Sequence, residues 1–103
     1  MDLSVDKNIS ENRVSAKITV VGMIDTLDSE RFLSELERLP EEAQSIEFDL
    51  ENVPYISSSG LRVLLKAMDM AEERGGVMKV VKSSEFVREI LAAVGFDKLF
   101  EVA

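Results

Sequence analysis

The sequence predicts an α/β fold: a small mixed β-sheet with about three helices, in the order β-β-α-β-α-β-α with room for a final short strand. Three observations carry this reading. Apolar residues recur every second position in some segments and at helical spacing in others, the two patterns alternate along the chain, and Gly, Pro, Ser or Asp stands at the joints. Strands that alternate with helices require crossover connections, hence some parallel pairing.

Leu3 and Val5 form a short first strand, and the polar stretch from Asp6 to Arg13 reads as a turn. Val14, Ala16, Ile18 and Val20 alternate with Ser15, Lys17 and Thr19, a half-buried strand that Gly22 ends. The first two strands are expected to pair antiparallel. Asp28 is read as the N-cap of a helix whose apolar residues are Phe32, Leu33, Leu36 and Leu39, stopped by Pro40. Ile46, Phe48 and Leu50 alternate with Glu47 and Asp49 in the next strand. A second helix carries Leu61, Leu64, Leu65 and Met68 and runs to about Arg74, before a turn at Gly75-Gly76. Val77 to Val81 is a short apolar strand. Ser83 or Ser84 caps a third helix with the stripe Val87, Ile90, Leu91 and Val94, and Gly95 suits its C′ position. Phe96 to Val102 is read as extended chain at the sheet edge. With so few helices and polar alternate positions in the second strand, the helices are expected mostly on one side.

The 103 residues fit one domain, 1–103, long enough to bury a core. Apolar residues make up 46% and charged residues 31%, the balance of a globular chain rather than a disordered one. No apolar run approaches the ~18 residues of a membrane span, and the first residues lack the basic-then-apolar pattern of a signal peptide. These features, with the absence of cysteine, predict a cytoplasmic protein without membrane insertion. The net charge of −8 disfavours a phosphate backbone, so no direct nucleic-acid partner is expected. The chain has no histidine, which removes Ser-His-Asp and Cys-His mechanisms and the commonest zinc ligand. No spacing matches a calcium loop or zinc site, and no Gly-x-Ser-x-Gly elbow or Gly-rich phosphate loop is present. The expectation is therefore a non-enzyme with no catalytic residues, metal or cofactor. A corner serine acting as nucleophile, or a nucleotide at the helix start, are lesser alternatives.

The stretch that carries chemistry is Val53-Pro54-Tyr55-Ile56-Ser57-Ser58-Ser59-Gly60-Leu61-Arg62, which places three serines and a glycine where a strand turns into a helix. A helix start has unpaired N–H groups and positive partial charge, so it accepts a capping hydroxyl or a phosphate. Ser58 is on these grounds either an N-cap or a switch, and one hydroxyl can serve as both.

Three motifs in register resemble the STAS domain family, in particular the single-domain anti-sigma factor antagonists of bacteria. They are Gly22-Met23-Ile24-Asp25 ending an early strand, the strand of aliphatics and Asp, Phe48-Asp49-Leu50-Glu51-Asn52-Val53, followed by Ser57-Ser58-Ser59-Gly60-Leu61, and the tail Gly95-Phe96-Asp97-Lys98-Leu99-Phe100. The resemblance implies partner switching. The unphosphorylated domain binds an anti-sigma factor serine kinase and frees the regulator that the kinase sequesters; phosphorylation at the start of the second helix abolishes binding, and a PP2C-type phosphatase restores it. Counting back from Gly60 in the family pattern Asp-Ser-Ser-Gly, the acceptor is Ser58, with Ser57 and Ser59 as alternates. Ser57 stands where the family has Asp. The resemblance further implies a contact surface of Asp25, Ile56, Ser57, Ser59, Gly60, Leu61 and Arg62. The alternative within the family is a non-phosphorylated accessory or scaffold subunit of a transporter or a stressosome-like complex.

Overall fold

The computed structural model describes residues Met1–Ala103. Strands β1 (Asp2–Ser10), β2 (Arg13–Val21), β3 (Ala43–Asn52), β4 (Met78–Ser83) and β5 (Glu101–Val102) form one sheet whose spatial order equals the chain order. β1 and β2 pair antiparallel, and β2, β3, β4 and β5 run parallel. Helices α1 (Thr26–Glu37), α2 (Ser58–Glu73) and α3 (Glu85–Ala93) make the three crossovers. Each crossover steps in the same direction, and right-handed crossovers then put the helices on one face.

The period-two pattern decides which face that is. Ala16, Ile18 and Val20 of β2, Ile46, Phe48 and Leu50 of β3, and Met78 and Val80 of β4 are buried in one continuous core with the helices. Their neighbours Ser15, Lys17, Thr19, Glu47, Asp49 and Lys79 lie on the other face and are half-buried. There Lys79 and Glu47 pair at 3.5 Å across β3 and β4. On the covered face Phe32 of α1 meets Phe48 edge-on, with ring centroids 5.6 Å apart. That geometry adds about 0.5–1.5 kcal/mol to the burial of both rings.

The structure moves several boundaries. β1 does not end at Val5: it continues through the polar residues to Ser10, because every residue from Asp2 to Ser10 finds a partner on β2. Only Glu11 and Asn12 turn, both with positive φ (51° and 66°), the two-residue form that matches strand twist. In α2 the buried seam is Gly60, Val63, Leu64, Ala67 and Ala71, not the larger Leu61, Leu65 and Met68, which are half-buried. Small side chains on that seam let the helix approach its neighbours closely, which hydrophobic spacing alone does not reveal. β4 starts at Met78, leaving Val77 exposed. Val94 leaves the α3 stripe as the C-cap, and Gly95 follows with φ 82°, the left-handed C′ position. The tail is not extended throughout: Phe96–Lys98 form a 3₁₀ turn that sets Phe96 edge-on against Phe100, and only Glu101–Val102 join the sheet.

Glu11 carries a conformation that costs a non-glycine residue roughly 1–2 kcal/mol. Replacing the pair by Asn-Gly (Glu11→Asn with Asn12→Gly) is expected to raise unfolding stability by about 1 kcal/mol in urea, with an unchanged denaturant slope. A lower midpoint would contradict the turn geometry.

Candidate functional site

All three helices start at the same end of the sheet, beyond the C-terminal ends of β2, β3 and β4, where parallel sheets usually hold their sites. Each start is capped by the side chain that the local sequence supplies. Asp25, not Asp28, caps α1: its Oδ1 accepts from the Asp28 backbone N–H at 2.8 Å, and Asp28 Oδ2 accepts from the Asp25 N–H at 3.2 Å. This is a capping box with acids at both positions. The acid nearest the apolar stripe is its N3 member, which is why sequence inspection picks the wrong one. Chiefly the hydrogen bond from the Asp28 backbone, with its side chain adding, holds the Asp25 carboxyl below the usual carboxylate range. A depressed folded-state pKa stabilises the fold above the unfolded value near ~4, and the effect is lost as pH falls through the lower folded value.

At the second start, the Gly60 N–H donates to Ser57 Oγ at 3.1 Å, so Ser57 is the N-cap and Ser58 the first helical residue. Ser57 is 5% exposed, Ser59 half-buried and Ser58 exposed. The cap reading of Ser58 is therefore corrected to Ser57. At the third start, Ser84 rather than Ser83 accepts from the Val87 N–H at 3.2 Å, and its own hydroxyl donates to the Val53 carbonyl at 2.6 Å. That bond ties the α3 start to the serine loop.

The first two starts are locked together. Past the ends of β2 and β3, the Ile24 N–H donates to the Tyr55 carbonyl (2.9 Å) and the Ser57 N–H to the Ile24 carbonyl (2.8 Å), a parallel bridge between Ile24 and Ile56. Both isoleucines are buried, and Gly60 lies against them. A Cβ at Gly60 would stand 2.8 Å from Ile56 Cγ1 and 3.0 Å from Ile24 Cγ2, so only glycine fits without displacing them. Asp25 and the serine corner thus share one surface. Of the residues expected to face a partner, Ile56, Ser57 and Gly60 are buried and shape the corner from beneath. Asp25, Ser59 and Leu61 are half-buried, while Ser58 and Arg62 are exposed.

The same end carries apolar side chains that sequence inspection passed over. Met23, Leu27, Tyr55 and Phe86 are 49%, 84%, 45% and 40% exposed, in the loops before α1 and α2 and in the first turns of α1 and α3. Tyr55 and Phe86 pack with ring centroids 5.8 Å apart. Leu27 and Phe86 lie off the buried faces of α1 and α3, and Met23 and Tyr55 lie in the loops outside any strand or helix.

If Ser57 is the cap, Ser57→Ala loses about 1 kcal/mol of unfolding stability, whereas Ser58→Ala stays within about 0.5 kcal/mol of the parent. Thermal or urea unfolding reads both; the opposite ranking would contradict the capping assignment.

Comparison with known proteins agrees with this fold. The family model described as STAS domain matches residues 6–103. The anti-sigma-B factor antagonist of Bacillus subtilis (strain 168) is 24% identical over 103 residues, covering 100% of this chain and 93% of that protein. Among solved structures, an anti-sigma factor antagonist from Mycobacterium paratuberculosis superposes with TM-score 0.79 at 19% identity, over 98% of this chain and 85% of the other. SpoIIAA in its unphosphorylated form gives TM-score 0.75 at 17% identity, over 97% and 88%. Its phosphorylated form gives 0.70 at 17% identity, over 97% and 91%. The order of elements, the paired corners and a family match over nearly the whole length lead to one conclusion: the chain belongs to the STAS domain family.

Proposed function

We propose that this protein is an anti-sigma factor antagonist that works by partner switching, with Ser58 as the phosphorylated residue. In this reading the unphosphorylated form binds an anti-sigma serine kinase through the apolar side chains around the corner and releases the kinase's client. Phosphate on Ser58 ends the binding, and a PP2C-type phosphatase resets the protein. The observation that carries the reading is the sorting of the three serines: Ser57 is buried as a cap, Ser59 is half-buried, and Ser58 alone is exposed. Met23, Leu27, Tyr55 and Phe86 are exposed on the loops and first turns at the same end of the sheet. Further support comes from SpoIIAA, which has this fold and has been solved both without and with phosphate.

The chemistry of the switch follows from charge. A phosphoserine carries nearly two negative charges and three acceptor oxygens. At the first position of α2 it faces the positive end of the helix, so the fold tolerates it. Against a docked apolar partner it is a desolvated, unpaired charge, which costs several kcal/mol by order of magnitude. Roughly 1.4 kcal/mol is already tenfold in affinity. Ser57 in place of the family Asp keeps the cap, since either side chain accepts from the helix N–H groups, and leaves the acceptor hydroxyl in place.

Ser58→Ala is expected to retain a kinase-fold partner in pull-downs from a lysate of the protein's own cells and to resist release. Ser58→Glu is expected to recover about tenfold less of it. Equal recovery by both variants would contradict the corner as contact surface. Recovery of a transporter ATPase subunit instead would favour the scaffold alternative.

A further inference from the structure

The two edges of the sheet are unequal. β5 offers only Glu101–Val102, whereas β1 offers the 9 residues Asp2–Ser10, paired to β2 on one side and to no strand on the other. An edge is usually kept from further pairing by a bulge, a proline or an outward lysine. The register of β1 with β2 runs without a bulge, and β1 contains no proline. Its one lysine, Lys7, is drawn inward: Lys7 Nζ meets Glu42 Oε1, just before β3, at 2.6 Å. Leu3, Val5, Lys7 and Ile9 stand opposite Val20, Ile18, Ala16 and Val14, so they point to the helix side. Val5 and Ile9 are nevertheless 40% and 73% exposed. On the open face, one rung of alternating charge crosses all five strands in register: Asp6, Lys17, Glu47, Lys79 and Glu101. At the β1 edge this rung ends in an acid.

We infer that β1 pairs antiparallel with β1 of a second copy, about a two-fold axis through Lys7, and joins two five-stranded sheets into one. Self-complementarity sets the register. An axis normal to the sheet keeps the helices of both copies on one side, so each residue must face one of the same parity. Centring on Lys7 sets Val5 against Ile9 twice, Asp6 against Asn8 and Ser4 against Ser10. Lys7 then faces its own copy, but each ammonium is turned back to the Glu42 of its own chain. Centring on Asp6 would set that acid against itself and Val5 against Lys7. Centring on Val5 would set Leu3 against Lys7, and centring on Asn8 would set Ile9 against Lys7. Of the axes through the middle of β1, only that through Lys7 matches apolar to apolar and leaves no acid facing an acid, the pairings that stabilise a strand pair. The paired stretch Ser4–Ser10 stops short of Leu3 and of Asp2, which lies opposite Val21 at the end where α1 and α2 start. Because the joined strands are antiparallel, the two serine corners lie at opposite ends of the dimer. Under the partner-switching reading one dimer then holds two partners; the inference rests on that reading only in this consequence.

Sedimentation velocity of the full chain tests the dimer. Edge pairing of this length is at the small end of specific interfaces, so the dimer is expected at protein concentrations on the order of 0.1 mM and above. Ile9→Lys, at an exposed position, is expected to stay monomeric there. Since the chain has no cysteine, disulfides report the register. Facing Cα atoms on paired antiparallel strands lie ~4.5–5.5 Å apart, within disulfide reach. Asp6→Cys protein oxidised with ¹⁵N-labelled Asn8→Cys protein is therefore expected to give mixed dimers well above the half that random pairing gives. A parent chain that stays monomeric would overturn the inference and leave the edge to a strand of a different protein. A dimer that survives Ile9→Lys, or that gives mixed and self-paired disulfides in random proportion, would overturn it too.

Discussion

The bridge between Ile24 and Ile56, with Gly60 pressed beneath it, is the constraint on which the site depends. Two loops that leave neighbouring parallel strands would otherwise diverge with the sheet twist. The bridge extends the pairing of β2 and β3 past their formal ends and buries both isoleucines. It thereby sets the starts of α1 and α2 side by side. The caps do the rest: with Asp25 and Ser57 turned inward to satisfy helix N–H groups, the next residue of each helix, Thr26 and Ser58, is turned outward. Exposure of the hydroxyl is a consequence of capping, not a separate feature.

This arrangement separates two jobs within one serine-rich corner. One serine holds the helix and a different one is presented. Ser57 caps α2 without adding a charge beside Ser58. A neutral cap removes one source of repulsion from a phosphate on the adjacent residue. Around it, the third corner adds stiffness, because Ser84 bonds to Val53 and the Tyr55 and Phe86 rings pack on each other. In the proposed switch, a charge added beside exposed apolar side chains on tethered loops acts on a partner directly, with little need to deform the protein.

Much of this was legible in the chain. Ala16, Ile18, Val20, Ile46, Phe48 and Leu50 gave the two central strands and the buried face by period alone. The Asp and Ser residues before apolar stripes placed all three helix starts within a few residues. The departures have physical causes. The β1 extension to Ser10 rests on pairing with β2, and edge pairing needs no apolar side chain. The capping box hid the true cap behind a second acid. Besides Val63 and the expected Leu64, the buried seam of α2 includes Gly60, Ala67 and Ala71, small residues that stand out weakly as core in the sequence yet are buried. The apolar rim was hidden for a related reason: Leu27 and Phe86 look like ordinary members of apolar stripes until the packing shows which side of the helix is covered.

The central claim is that phosphate on Ser58 changes the charge of a rigid corner without refolding it. The direct measurement is a comparison of backbone amide NMR spectra of the full chain with and without phosphoserine at position 58. The account predicts shifts confined to the loops and first turns around Ile24, Ile56 and Gly60, with β3, β4 and the body of α2 unchanged. Shifts spread through the central strands would contradict it and make the switch a conformational one.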